Sequence, residues 1–105
     1  MSNTSPLSMA LNPESKVGCK AGVVLRRVAG EHMLVPAVTR EIDLDSLFLL
    51  NAVGVFIWER LDGVQTVRSL AGAVARSFAV DSGPALADTL AFLSALAGRN
   101  LVEVA

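Results

Sequence analysis

The hydrophobic pattern divides the chain into a strand-forming first half and a helical second half. From Gly22 to Val28 the run Gly-Val-Val-Leu-Arg-Arg-Val is dense in β-branched residues, and after Ala29-Gly30-Glu31 a second such run covers residues 32–38. Two such runs around a short turn containing glycine predict a β-hairpin. Pro36 cannot donate to a ladder, so pairing is expected to stop there. Residues 39–45 interleave charged and hydroxyl side chains with Ile42 and Leu44, the pattern of a solvated connection. Leu47, Phe48, Leu49 and Leu50 then form a short apolar run, read as a third strand. Asn51 follows, and it suits a helix N-cap because its side-chain oxygen can accept from an amide of the first turn.

Three helices are expected next. In the first, Val53, Ile57 and Leu61 recur at intervals of four, Phe56 and Trp58 flank that stripe, and Asp62-Gly63 is expected to end it. Thr66 caps the second, whose apolar positions are Val67, Leu70, Ala71, Val74 and Phe78. Asp81-Ser82-Gly83-Pro84 is a start signal, proline being tolerated in a first turn and Asp81 or Ser82 supplying a cap. The third helix therefore runs from about Pro84 to Ala97 and ends near Gly98, with residues 101–104 as a short extended tail. Strands segregated from helices predict an α+β domain: a short three-stranded antiparallel sheet followed by three helices, with winged helix-turn-helix proportions. Residues 1–16 carry Pro6, Pro13 and several Ser and Asn without periodicity and read as a flexible arm, leaving 17–105 as one domain.

The third helix shows two adjacent apolar stripes, Leu86, Leu90, Leu93 and Ala97 in one, Ala85, Thr89, Phe92 and Leu96 in the other, about 100° apart around the axis. One stripe docks a helix on its own core, which leaves the second for a groove or a dimer surface. A three-stranded meander also leaves residues 47–50 on an edge. Unpaired edge amides beside an apolar helix can take up an extended peptide, whose backbone adds a strand and whose alternate side chains enter the groove. The candidate peptide-binding residues are Leu47, Phe48, Leu49, Leu50, Thr89, Phe92 and Leu96.

Composition sharpens this picture. Of 105 residues, 52% are hydrophobic and 18% charged, with a mean hydropathy of +0.53. A compact monomer of this size hides only about two-thirds of its unfolded surface, so apolar surface is left for a partner. Nine Lys and Arg against ten Asp and Glu give a net charge of −1, too little positive charge to build a phosphate-neutralising face. Between Ser82 and Gly98 the only ionisable side chain is Asp88, whereas a helix that reads DNA presents Arg, Lys, Asn or Gln. Nucleic acid is thus disfavoured as a partner, and a winged-helix regulator and a self-associating structural subunit stand as the rival readings.

Catalytic equipment is sparse. The chain has one His, one Cys and no Tyr, and no glycine-rich phosphate loop follows either early strand. His32 has no ligand-spaced partner, and Glu41, Asp43 and Asp45 alternate without the glycine turn or bidentate acid of a calcium loop. We expect no enzyme, no metal and no cofactor. Cys19 stands alone, so an internal disulfide is excluded and a reducing compartment is expected. No secretory signal opens the sequence, and the greasy stretch 47–58 is shorter than the roughly twenty residues a bilayer needs. The expected location is the cytoplasm, away from membranes.

The segment Leu50-Asn51-Ala52-Val53-Gly54-Val55-Phe56-Ile57-Trp58-Glu59-Arg60-Leu61-Asp62-Gly63, followed by Thr66-Val67 and a helix closing on Phe78-Ala79-Val80-Asp81, resembles the PqqD-like family, named for a pyrroloquinoline quinone biosynthesis protein. The Asn, the Gly, the Trp and the Asp-Gly fall together at the family's offsets, and the likeness extends over about residues 23–104. Ser69 stands where many relatives carry an acid, and Arg99-Asn100 replaces the common acidic or glycine-rich turn. The resemblance implies a small winged-helix domain that recognises the leader of a ribosomally made precursor peptide. Such domains present the leader to a modifying enzyme, often a radical enzyme using S-adenosylmethionine. It further implies that the leader pairs with the third strand, here 47–50, and packs against the third helix around Thr89, Phe92 and Leu96.

Overall fold

The computed structural model describes residues 11–36 and 47–104. They form strands β1 (Val17–Cys19), β2 (Val23–Val28), β3 (Glu31–Pro36) and β4 (Phe48–Leu50), helices α1 (Ala52–Trp58), α2 (Val67–Phe78) and α3 (Ser82–Gly98), and strand β5 (Val102–Val104). This is an α+β fold with two antiparallel sheets, one in the order β2-β3-β4 and one pairing β1 with β5. The expected connection over 39–45 lies outside the described residues, as do residues 1–10.

The hairpin forms as expected, with Ala29 (φ 52°) and Gly30 (φ 82°) as its two turn residues between the paired Val28 and Glu31. Positive φ at both positions matches the right-handed twist of the flanking strands, and glycine removes half of the steric penalty. Pro36 is the last paired residue of β3, opposite Val23. β4 pairs with β3 through His32↔Leu50, Met33↔Leu49 and Leu34↔Phe48.

Sequence reasoning missed β1. Residues 17–19 pair with 102–104, so the expected extended tail is one strand of a two-stranded clasp. The arm expected over 1–16 is also corrected at its end: residues 12–15 form a turn in which the Asn12 amide donates to Ser15 Oγ (2.9 Å) and the Glu14 amide to Asn12 Oδ1 (2.8 Å). Its carbonyls cap α2. The amides of Val67 and Arg68 donate to the carbonyls of Ser15 and Pro13, each at 2.8 Å, and the Ser69 amide donates to Thr66 Oγ1 at 3.1 Å. The amides at the first three helical positions of α2, which have no acceptor within the helix, thus all have partners. That is why this stretch is ordered.

Helix α1 stops at Trp58 and not at Asp62-Gly63. The chain tightens there into bonds from Arg60 to Ile57 and from Leu61 to Trp58, and Leu61 leaves the helical stripe. Asp62 instead builds the next turn, accepting from the amides of Val64 and Gln65 at 2.8 Å each, and these bonds hold its carboxyl below the usual carboxylate range. Gly63 (φ 75°) donates to the Val17 carbonyl, and Gly18 faces it so closely that a Cβ there would lie 3.3 Å from its nitrogen. Helix α3 begins at Ser82, two residues before expectation, and Asp81 makes no side-chain cap bond.

The core is one cluster. Leu34 and Leu50 enter it from the sheet, Ile57 and Trp58 from α1, Val67, Leu70 and Val74 from α2, Ala85, Leu93 and Leu96 from α3, and Val17 and Val102 from the clasp. Trp58, which flanks the apolar stripe of α1, is buried in the core. Helix α2 ends on Ala79 in the left-handed conformation (φ 54°), with the Val80 amide donating to the Ala75 carbonyl. That position suits glycine, since a Cβ costs about 1 kcal/mol there. Ala79→Gly is expected to raise the free energy of unfolding by about 0.5–1 kcal/mol in urea titration, less any gain in unfolded-state entropy.

Candidate functional site

β4 is an edge strand, and the hairpin turn decides which of its backbone groups face outward. In a two-residue hairpin the residues flanking the turn exchange both backbone bonds, so Val28 bonds Glu31, and the alternation along β3 turns the groups of His32 and Leu34 toward β4. Phe48 and Leu50 therefore spend their amides and carbonyls on β3. Leu49 turns its N–H and C=O to the open edge. The Leu47 carbonyl already accepts from Arg99 Nη2 at 3.2 Å.

Side chains alternate the other way. Leu50 is buried, Phe48 is half-buried on the same face, and Leu49 is 62% exposed on the opposite face. Phe48 meets Phe92 of α3 edge-to-face with ring centroids 6.4 Å apart, and the Arg99 guanidinium sits 5.6 Å from the Phe48 ring centre. Arg99 thus ties the end of α3 to the start of β4.

On α3 the spare stripe is not where the sequence placed it. Ala85, Thr89, Leu93 and Leu96 make the fully buried face, while Leu86, Leu90, Phe92 and Ala97 are half-buried flanks. Thr89 and Leu96, at 1% and 0% exposure, are core residues and cannot contact a peptide at the surface. The reason lies in how α3 is held. Packed on α2 and followed at once by β5, it turns inward the residues midway between the two stripes. Of the three candidates on α3 only Phe92 reaches the groove.

Beside β4 the groove continues between α1 and α3 as a cavity of about 320 Å³ lined by Asn51, Val53, Gly54, Ile57, Asp88, Ala91 and Phe92. Asn51 caps α1 by accepting from the Gly54 amide at 2.9 Å. Gly54 is where the elements touch: a Cβ built there would lie 3.2 Å from Phe92 and 3.3 Å from Leu50. Sequence reasoning missed Asp88, Ala91 and Arg99 as parts of this site. The signals that existed were a glycine inside a helix and a lone cation just after one.

Residues 11–102 match the family model described as Coenzyme PQQ synthesis protein D (PqqD). The chain belongs to the PqqD family. Two solved structures share its fold. One is a solution NMR structure of the PqqD truncation of Methylobacterium extorquens PqqCD, described as a functional and stand-alone recognition element for ribosomally synthesized and post-translationally modified peptides. It aligns with a TM-score of 0.71 at 23% identity, over 91% of this chain and 97% of that one. The other is TbiB1 in complex with the TbiA(beta) leader peptide, with a TM-score of 0.63 at 28% identity, over 82% of this chain and 94% of that one. No curated protein matches the chain.

The residues that carry the PqqD resemblance are structural in this member. Asn51 caps α1, Gly54 admits Phe92, Trp58 fills the core, and Asp62-Gly63 turns the chain toward α2. Among the described residues no three His, Cys, Asp or Glu side chains cluster as metal ligands, and no helix is long and apolar enough to cross a membrane. Cys19 lies away from the groove against the Trp58 carbonyl, and burial pushes its thiol up, making it less reactive at neutral pH.

Two substitutions check this geometry. Gly54→Val is expected to cost about 1–3 kcal/mol in chemical denaturation because the added methyls overpack against Phe92 and Leu50. Gly54→Ala is expected to be nearly neutral, its gain in helix propensity of about 1 kcal/mol offsetting the smaller clash. The Thr89 hydroxyl is buried with no hydrogen-bond partner among the described residues. Thr89→Val keeps the shape and removes the orphan, so the unfolding midpoint should rise, by about 1 kcal/mol in stability.

Proposed function

We propose that this PqqD-family protein is a non-enzymatic peptide-binding module that recognises the leader of a ribosomally synthesised precursor and presents it to a separate modifying enzyme. The observation that supports this best is the outward-turned amide and carbonyl of Leu49 beside the apolar groove of Phe48 and Phe92. A peptide strand adds there as the neighbour of β4 and exchanges both backbone bonds with Leu49. Its side chains alternate between the exposed face of the sheet and the groove. The likeness to a structure holding a leader peptide, TbiB1, supports the same reading.

In this reading the architecture is a winged helix-turn-helix put to peptide use, with α2 and α3 as the helical pair and the β2–β3 hairpin as the wing. DNA is disfavoured because α3 carries Asp88 as its only ionisable side chain. The peptide site consists of Leu47, Phe48, Leu49 and Phe92, with Leu50, buried and bonded to β3, as the floor beneath it and Arg99 holding the strand in place. A radical S-adenosylmethionine enzyme is the type of modifying partner we favour, acting in the cytoplasm on the presented peptide.

The experiment uses peptides selected from a displayed random library on the immobilised protein. Leu49→Pro removes an outward amide and spares the bonds to β3, so its circular dichroism should match the wild type while selected peptides bind at least about tenfold more weakly. Equal affinity for the two proteins would sink strand addition. Light scattering in the same samples separates peptide binding from pairing of two β4 edges, since a dimer that peptide leaves intact would favour self-association.

A further inference from the structure

The cavity between α1 and α3 carries a chemical preference that strand addition alone does not specify. Of its lining residues, Val53, Gly54, Ile57, Ala91 and Phe92 are apolar or small, Asn51 spends its carbonyl oxygen on the α1 cap, and Asp88 alone is ionisable. Asp88 is exposed at the cavity rim, and no hydrogen bond or ion pair involves it among the described residues. A volume of about 320 Å³ is at the small end of ligand pockets, which run from about 300 to 1,000 Å³, and suits one long side chain.

The position of the cavity relative to β4 is fixed. Asn51 follows the last residue of the strand, and Phe92 forms both the wall beside Phe48 and the wall of the cavity. A strand running along β4 past Leu50 therefore passes over the cavity mouth. We propose that this cavity is a subsite for a basic side chain, arginine or lysine, of the bound peptide, and that Asp88 is the residue that determines this specificity.

The chemistry of the walls divides the work. An aliphatic stem lies along Val53, Ile57 and Ala91, the cationic head stays near the rim where water reaches it, and Asp88 meets the charge. Phe92, in the same wall, adds an aromatic surface beside the stem. An aspartate or glutamate at this place faces the Asp88 carboxylate and a largely apolar wall, with only the neutral Asn51 amide among the lining side chains to donate to it. A leucine fills the space and leaves Asp88 as it is. The preferred order is therefore basic, then apolar, then acidic.

This inference rests on the strand-addition reading, and the test separates the two. Fluorophore-labelled, end-capped peptide pools with a degenerate Val, Thr and Ser background carry a central Arg, Lys, Leu or Glu. Their affinities are read by anisotropy for the wild type, Asp88→Asn, Asp88→Lys and Leu49→Pro. The Arg and Lys pools should bind the wild type about fivefold more tightly than the Leu pool at low salt, with the advantage shrinking as salt rises. Asp88→Asn should erase the advantage, and Asp88→Lys should move the preference to Glu.

If the pools keep the same order in wild type and Asp88→Lys while Leu49→Pro still weakens all of them, strand addition stands and the subsite is wrong. If Leu49→Pro binds as the wild type does, or if no pool binds the wild type, the strand reading falls and the subsite with it.

Discussion

Helix α1, strand β4 and helix α3 meet at a point where a β-carbon fits only if Phe92 and Leu50 give way by a few tenths of an ångström. Gly54 makes that meeting possible, and most of the candidate site follows from it. Because the helix lies so close, Phe92 packs over Gly54 and against Phe48, which puts an aromatic wall next to an open strand edge. The same approach opens a cavity on the far side of Phe92, between the first turn of α1 and the middle of α3. A larger residue at this position would separate the helix from the strand. Glycine's helix-destabilising tendency, about 1 kcal/mol relative to alanine, is the local cost of the contact.

Around that point the described residues are closed by two segments far apart in sequence, 12–19 and β5. The segment at 12–19 caps α2 with its carbonyls, bonds the turn at Gly63 through Val17, and pairs with β5 after α3. The helices are thus held between a hairpin sheet on one side and a clasp on the other. α3 is held by its packing on α2 and, at its C-terminal end, by Arg99 reaching the Leu47 carbonyl. A helix restrained in this way presents one flank, not a free face, to a ligand.

Much of this was legible from periodicity. The β-branched runs around Ala29-Gly30 specify the hairpin, and Asn51 and Thr66 cap the helices they were expected to cap, because those signals are local. The rotation of α3 was not legible. Two apolar stripes of similar strength leave the buried face undetermined, and the helix settles between them, sending Thr89 into the core with its hydroxyl unpaired. A polar residue in that face misleads a pattern reading, which places it toward solvent. β1 was missed for a related reason: three residues have no period, and their strand exists only because residues 102–104 arrive beside them. Asp88 and Arg99 stood out in the sequence as charges, but their place beside the strand edge is a product of tertiary geometry.

The two-residue turn at Ala29-Gly30 has a consequence at a distance. Its parity sets which members of β3 face β2 and, one strand further on, which members of β4 are left to the outside. Backbone direction and side-chain face are coupled along a strand, so a one-residue slip that turned the amides of Phe48 and Leu50 outward would also carry their side chains out of the core and Leu49 into it. The buried leucines at 34 and 50 and the two-residue turn thus hold one and the same phase, and the open amide of Leu49 is the outward sign of what the core takes in.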